Sequence, residues 1–162
     1  MFNKYFNLGG NIVEQFKLKE ILKYPYTNRS RKFYSIIQSF KHILGSDYTN
    51  SEELIYIKNY YNYLNDRCNI EEVKMYAVIN NKFHCISYSN EFNGSCLDSY
   101  SLNEIKFTQL KESRKYSNKH IDLSIHFNEQ LIFNLNNFND TYDELGVDDL
   151  GQIILIIYSK LI

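Results

Sequence analysis

The sequence predicts an α+β fold in which N-terminal helices pack with a mainly antiparallel sheet and a C-terminal helix. Apolar residues recur with helical spacing in the first third of the chain, alternate as in strands from about residue 70, and form a dense run near the end. At 162 residues the chain is expected to be a single domain, 1–162, with a helical part at 1–69 and the sheet and last helix at 70–162.

The first helices are predicted from apolar stripes and from the signals that start and stop a helix. One stripe runs along "SRKFYSIIQSFKHILG" at Phe33, Ile36, Ile37, Phe40 and Leu44. Gly45 then fits the left-handed position that ends a helix. An earlier helix is expected at about Ile12 to Lys23. A later helix is expected from Ser51 to Asp66, opened by a capping box of Thr49 and Glu52.

Strands are predicted from Glu71 onward. The segments "VKMYAVI" and "KFHCISYS" flank Asn80-Asn81, a dipeptide that tolerates positive φ and suits a tight hairpin. "NEIKFTQL" is a third candidate strand, and "HIDLSIHF" alternates cleanly before "LIFNL". A three-residue connection, Asn128 to Gln130, keeps the apolar residues of these last two segments on one face, whereas a two-residue turn would set apolar against polar.

The final apolar run is expected to form a helix from about Asp148. Its inward residues would be Leu150, Ile153, Ile154, Ile157 and Leu161. Because the run is rich in β-branched residues, a buried strand fits it as well, and the sequence leaves both open.

Composition limits the classes of protein to which the chain can belong. No apolar run reaches the length of a signal-peptide core or of a membrane span. Cys68, Cys85 and Cys96 are an odd set without CxxC spacing, which is typical of reduced thiols in the cytoplasm. There is no phosphate-binding glycine loop, GxSxG, HExxH or kinase-type signature. We therefore expect a cytoplasmic protein without catalytic residues, cofactor or metal.

Charge is distributed unevenly along the chain. The net charge of −1 combines +6 over residues 1–45, −1 over 46–119 and −6 over 120–162. Such asymmetry is typical of proteins with charged partners, or of complementary packing between the two ends of a chain.

The segment "NDTYDELGVDDLGQ", residues 139–152, is here called the acidic stretch. Its spacing does not fit a calcium loop of the EF-hand type. Asp148 and Asp149 suit the first turn of the last helix, where the macrodipole favours negative charge. Asp140, Asp143 and Glu144 are expected to be exposed and to bind a basic protein partner, and a solvated loop also accounts for them.

Histidine residues form a second candidate site. His120, Asp122 and His126 share one strand face, where they fit either a metal-assisted hydrolase or the solvated side of a half-buried sheet. His84 and Cys85 are not a catalytic dyad by adjacency, because neighbours on a strand point to opposite faces.

A basic segment forms a third candidate. Arg29, Arg31 and Lys32 stand among aromatic residues, as in proteins that bind single-stranded nucleic acid. The chain is not basic overall, so we interpret the segment as a solvated helix entrance and expect no nucleic-acid partner.

Residues 70–162 resemble bacterial pleckstrin-homology-like domains. The segments "EEVKMYAVINNKFHCISYS", "YSLNEIKFTQL" and "HIDLSIHFNEQLIFNL" stand in that family's order of strands, final hairpin and capping helix. The resemblance implies a curved antiparallel sheet closed at one end by the last helix, and an adaptor that binds a lipid head group or a peptide. It assigns no ligand residues.

In character, the whole chain resembles the immunity proteins of contact-dependent growth inhibition. Like them it is expected to be a compact α+β chain without a signal, and its charge map is lopsided. This resemblance implies a non-catalytic bacterial protein that binds a nuclease toxin in the cytoplasm and covers its basic active site. The partner would be the cognate toxin, and a homodimer stays open.

Overall fold

The computed structural model describes residues 12–23, 31–58, 74–89, 91–115, 118–140 and 144–162. Within these ranges the chain forms three α-helices and two antiparallel sheets, which confirms the α+β class. The helices are α1 (Leu18–Ile21), α2 (Arg31–Leu44) and α3 (Glu144–Leu161). The strands are β1 (Tyr56–Lys58), β2 (Lys74–Ile79), β3 (Lys82–Ser89), β4 (Gly94–Ser101), β5 (Phe107–Lys115), β6 (Asn118–His126) and β7 (Ile132–Asn136).

The strands divide into a four-stranded sheet, in the order β1-β2-β3-β4, and a three-stranded sheet, β5-β6-β7. Helix α2 packs on β3 and β4, where Ser39 Oγ lies 2.6 Å from Ser95 Oγ. Helix α3 packs mainly on β6. Aromatic rings join the two sheets: Phe83 meets Phe133 at 4.9 Å between centroids, and Tyr100 meets Phe127 at 5.1 Å. The core therefore continues from one sheet into the other.

Both predicted turns between strands are confirmed. Asn80 and Asn81 adopt positive φ, 54° and 60°, and close the β2–β3 hairpin as a type I′ turn requires. In the β6–β7 connection, Leu123 lies opposite Leu135, and Phe127 N donates to Leu131 O at 3.1 Å. This is the register of the three-residue connection.

The N-terminal helical prediction is confirmed in part. Helix α2 forms as expected, and Gly45 ends it at a φ of 79°. The segment Ile12 to Lys23 is not one helix, because it divides into a 3₁₀ turn at Ile12–Phe16 and the short α1. The division falls at Lys17, which forms an isolated antiparallel bridge with Leu54.

The helix predicted from Ser51 to Asp66 is wrong over residues 51–58. This segment is extended and ends in β1, which pairs with β2. Leu18 N donates to Glu53 O, and Ile55 N donates to Phe16 O, so the N-terminal segment takes the backbone groups that a helix would use internally. Ile55, Tyr56 and Ile57 are all fully buried, which a helix with one apolar stripe does not allow. The rest of the predicted helix lies outside the described residues.

The proposed capping box of that helix is also wrong. Residues Tyr48–Asn50 form a 3₁₀ turn, and the Glu52 carboxylate binds Lys17 and Lys19 instead of a backbone N–H. These two ammonium groups lower the pKa of Glu52 to about 2. The carboxylate therefore helps to attach the N-terminal segment to the chain before β1.

In the middle of the chain, the structure contains a strand that the sequence analysis did not assign, β4 (Gly94–Ser101). The expected strand at "NEIKFTQL" begins later, at Phe107, because Leu102–Glu104 form a 3₁₀ turn capped by the Ser101 hydroxyl. Strand β4 pairs with β3 and forms one of the two edges of the four-stranded sheet.

The last run is a helix, which settles the choice between helix and strand. It begins at Glu144, before the expected start at Asp148. Leu150, Ile153, Ile154 and Ile157 are fully buried, as expected. Gly151 lets the helix approach the chain after β7, since a Cβ there would lie 3.1 Å from Asn137 Nδ2 and 3.2 Å from Ile121 Cδ1. A side chain at this position would therefore crowd Asn137 and Ile121.

Candidate functional site

One acid of the acidic stretch does not lie on the exposed surface expected from the sequence. Asp140 is only 2% exposed, so the expectation that it lies open to a partner is wrong. Tyr56 Oη donates to its carboxylate, and Asn136 N donates to the same oxygen at 3.2 Å. Lys58 Nζ lies 3.3 Å from the other oxygen. Two of these partners, Tyr56 and Lys58, come from β1, and the third, Asn136, is the last residue of β7.

The contacts of Asp140 attach the two sheets to each other. Tyr56 and Lys58 belong to β1, and Lys58 Nζ also donates to Asn134 O of β7 at 2.9 Å. Burial and the Asp140 carboxylate raise the pKa of Tyr56 well above its usual value. The phenol therefore stays protonated and keeps donating to Asp140 through the neutral range. We assign this cluster a structural role.

Of the other acids of the stretch, only Asp148 and Asp149 have described side chains. Asp143 lies outside the described residues, and Glu144 is the first residue of α3. Asp148 is exposed and Asp149 is 4% exposed, where it accepts a hydrogen bond of 2.8 Å from Gln15 Nε2. Both aspartates lie in the second turn of α3, so the expectation that they occupy its first turn is wrong. Two acids that contribute to the charge of −6, Asp140 and Asp149, are therefore buried, whereas the exposure of Asp143 and Glu144 stays a prediction.

The histidine candidates share a strand face, as expected, but only His120 and Asp122 have a common partner, Asn136. Asp122 Oδ2 accepts from Asn136 Nδ2 at 3.0 Å, and the same Nδ2 lies 3.0 Å from His120 Nε2. His126 Nε2 contacts Ser124 Oγ at 3.0 Å. Within the described ranges, no three His, Cys, Asp or Glu side chains are grouped to hold a metal ion. The geometry therefore gives the proposed hydrolase no support.

His84 and Cys85 do not form a dyad, because they occupy opposite faces of β3. The His84 ring lies 2.8 Å from Ser99 Oγ and 3.2 Å from Ile79 O, and burial lowers its pKa. Burial raises the pKa of the Cys85 thiol to about 11, so the thiol stays protonated and unreactive. Both side chains are therefore buried parts of the four-stranded sheet, one on each of its faces.

The basic segment of the sequence is only partly described. Arg29 lies outside the described residues, and Arg31 and Lys32 open α2. Neither the nucleic-acid interpretation of this segment nor its interpretation as a solvated helix entrance is therefore tested.

A surface that the sequence analysis did not single out lies on the outer face of the three-stranded sheet. Phe107, His126 and Ile132 stand opposite one another on β5, β6 and β7 and form one row across the sheet. Phe107 is 56% exposed and Ile132 is 39% exposed. The Phe107 ring stacks on His126 at 4.0 Å between centroids. Exposed Gln109 and Asn134 lie next along the same face. We call these five residues the outer patch.

Strand β5 is also an edge. In the described part of the chain it pairs with β6 alone. Its residues Lys111 to Arg114 are all exposed, although neighbours in a strand point to opposite faces, so this end of the strand is solvated on both sides. The side chains of Lys106, Lys111, Arg114 and Lys119 are exposed bases, and Glu112 is the exposed acid among them. We call β5 and β6 the basic hairpin.

A sequence signal for the basic hairpin existed. Residues 105–120 hold five bases and one acid. Counting charge over residues 46–119, where the net is −1, concealed this local excess. The exposure of Phe107 had no such signal, because an apolar residue in a strand predicts burial.

No family model, curated protein or solved structure matches the chain. Among the helices described, none is long and apolar enough to cross a membrane.

Proposed function

We propose that this chain is a non-catalytic protein-binding protein whose partner docks on the outer patch. The observation that carries the proposal is the row of Phe107, His126 and Ile132 on an open sheet face. An aromatic and an aliphatic side chain exposed together, with polar neighbours around them, have the composition of an interface centre and its rim.

The position of the patch on a sheet supports the same role. His126 lies on the central strand, and Phe107 and Ile132 are fixed to it by backbone ladders on both sides. Residues held in this way lose little conformational entropy on binding, which favours affinity. The neighbouring amides of Gln109 and Asn134 supply donors and acceptors for a polar rim.

More narrowly, we propose that the partner is a toxin of bacterial competition and that the chain gives immunity to it in the cytoplasm. The resemblance in character to immunity proteins supports this role. Asp140 has no part in the proposed interface, since that carboxylate is buried, and the partner is placed on the outer patch instead.

Competition between a deletion strain and its parent tests the immunity proposal and does not require the toxin to be identified. The two strains are mixed on a solid surface and the surviving deletion cells are counted. We expect the deletion strain to be inhibited by its parent and rescued by the wild-type gene. A deletion strain that competes equally would contradict the immunity role.

The same assay tests the surface. The double variant Phe107→Ser/Ile132→Ser should fail to rescue the deletion strain while keeping its melting temperature. Phe92→Ser is the matched control, because Phe92 is 73% exposed on the β3–β4 connection of the other sheet. Rescue by the outer-patch variant would show that the partner docks elsewhere.

A second candidate function is a pleckstrin-homology-like adaptor for a lipid head group or a peptide. The observation that favours it is the element order from β2 to α3: a hairpin, further strands, a final hairpin, and a C-terminal helix packed on β6. Flotation with anionic vesicles at low salt tests the lipid branch. Binding that is lost in Lys111→Glu/Arg114→Glu would support that branch, and no binding at low salt would exclude it.

A further inference from the structure

We propose that β5 receives an acidic, extended segment of the partner as an added antiparallel strand. The inference rests on the proposed function, since it requires a protein partner, and it names the chemistry of that partner. Three features of the basic hairpin carry it: the edge of β5, the charges on its two faces, and the exposed Phe107 at its start.

The edge of β5 offers backbone groups to a partner. In an antiparallel ladder, every second residue directs its N–H and C=O away from its neighbour strand. Since β5 pairs with β6 alone in the described part of the chain, it presents such a row over Phe107–Lys115. A polypeptide strand can form hydrogen bonds with both the donors and the acceptors of that row, whereas the phosphate backbone of a nucleic acid supplies acceptors only.

The charges along the edge select an acidic strand. Glu112 lies 2.9 Å from Lys119 and takes part of the charge of that lysine. Lys111 and Arg114 form no ion pair with another residue of the described ranges. They are exposed on opposite faces of β5, three residues apart, so an added strand meets one base on each face.

The same charges disfavour a second copy of the chain. Basic side chains on an edge strand are a common protection against edge-to-edge pairing of identical proteins. The hairpin exposes three bases, Lys111, Arg114 and Lys119, and one acid, Glu112, so two such hairpins repel each other. An acidic strand instead gains attraction where a second copy meets repulsion.

Phe107 fixes the register of the added strand. It lies on the same face as Lys111, four residues before it, and is open to a side chain on the neighbouring position. Opposite residues in an antiparallel pair share a face. The bound segment should therefore read, from its N-terminus, acid-x-x-acid-x-x-x-apolar, with the acids opposite Arg114 and Lys111 and the apolar residue opposite Phe107.

Binding of labelled synthetic peptides to the full chain, followed by fluorescence anisotropy, tests the proposal. The probe is a 13-residue peptide, a length of about 40 Å when extended, that contains the acid-x-x-acid-x-x-x-apolar pattern. One comparison peptide carries Asn and Gln in place of the acids. A second comparison peptide carries prolines at both positions between the two acids. Whichever of these two positions faces β5, its backbone N–H donor is then absent.

We expect the acidic peptide to bind about tenfold more tightly than the amide peptide, since two exposed ion pairs are lost. The proline peptide should not bind. The variant Lys111→Glu/Arg114→Glu should bind the acidic peptide more weakly and should bind a version of the peptide in which lysines replace the acids. Lys74→Glu/Lys82→Glu is the control, with the same charge change at exposed positions of the other sheet. Amide exchange of residues 107–115 should slow on binding.

Three outcomes would overturn the proposal: unchanged binding in Lys111→Glu/Arg114→Glu, equal binding of the proline peptide, or an oligonucleotide of equal charge that binds when the peptide does not. Failure here is separable from failure of the immunity role. If the peptide binds but the deletion strain shows no competition phenotype, the edge site is supported and the immunity role is not. If Lys111→Glu/Arg114→Glu still rescues the deletion strain, the immunity role is supported and the edge site is not needed for it.

Discussion

The acidic stretch and the basic hairpin use their charges in opposite ways. In the acidic stretch, Asp140 and Asp149 are turned inward and hold β1 and the N-terminal segment to the rest of the protein. In the basic hairpin, Lys111 and Arg114 stay in water on an edge strand. A count of charges along the sequence identifies both regions as charged. Only the burial of each side chain in the structure shows which charges are available to a partner.

The two regions also differ in what a substitution should change. A buried carboxylate with several donors contributes mainly to folding, because its removal leaves those donors unsatisfied. An exposed base without a partner contributes little to folding, so its effect appears in binding. Mutations in the two regions should therefore separate stability from association.

Asp140→Ala should give the largest loss of stability. It leaves the buried Tyr56 hydroxyl and Asn136 N–H without their acceptor, and we expect a loss of about 3 kcal/mol in the free energy of unfolding. Urea denaturation measures this loss. Asp140→Asn keeps one acceptor oxygen and should lose less. A loss under about 0.5 kcal/mol for the alanine variant would show that the cluster is not structural.

High pH should destabilise the four-stranded sheet by a similar amount. Burial raises the pKa of Cys85 from 9.0 to about 11. Between pH 9 and 11 the thiol therefore keeps its proton in the folded state and loses it in the unfolded state. The stability that Cys85 contributes is present below pH 9 and is lost as the pH rises to 11. The loss should be about 2–3 kcal/mol for this shift.

Denaturation between pH 8 and 11 checks the effect of Cys85, with Cys85→Ala as the comparison. The variant should have a flatter pH dependence below pH 10. Tyr56 and Tyr76, whose pKa values burial also raises, should keep both proteins labile above pH 10. Equal slopes for the two proteins would contradict the burial of this thiol.

The parts of the fold predicted from sequence depend on neighbours along the chain. Helix α2, the Asn80-Asn81 hairpin and the register around Asn128 to Gln130 follow from local periodicity and turn chemistry, and all three are confirmed. Helix α3 is one of the two alternatives that the last apolar run allows. Local rules thus place most elements that pair or pack with their nearest neighbours in sequence.

Two of the parts that sequence reasoning missed depend on distant partners, whereas β4, which pairs with the neighbouring β3, was missed because its sequence has few apolar residues and no alternation. The helical spacing of Leu54 and Ile57 predicts a stripe, but the N-terminal segment pairs with this region and makes it extended. Asp140 is buried by Tyr56, which stands 84 residues earlier in the chain. No local pattern carries that contact, and because of it Asp140 does not lie on the surface that the sequence predicts.

Gly151→Ala should produce a moderate loss, of about 1–2 kcal/mol. Alanine normally favours a helix over glycine by about 1 kcal/mol, but here its Cβ would press on Asn137. Asn137 has little freedom to yield, since it bonds to Ile121 N, Lys119 O and Val147 O. Thermal melting measures the effect. Ser159→Ala, at an exposed position of α3, should be neutral or stabilising, and a stabilised Gly151→Ala would refute the close approach.

Lys111→Glu/Arg114→Glu should give the smallest change in stability and sharpens the comparison most. Both side chains are exposed and form no ion pair in the described part of the chain, so we expect the free energy of unfolding to change by less than about 0.5 kcal/mol. Binding of the acidic peptide should nevertheless weaken, whereas Asp140→Ala should bind it normally at temperatures where the variant is folded. Circular dichroism melts and anisotropy titrations on both variants measure the two properties. If the double variant unfolds, or if Asp140→Ala loses binding while folded, the division of roles between buried acids and exposed bases is wrong.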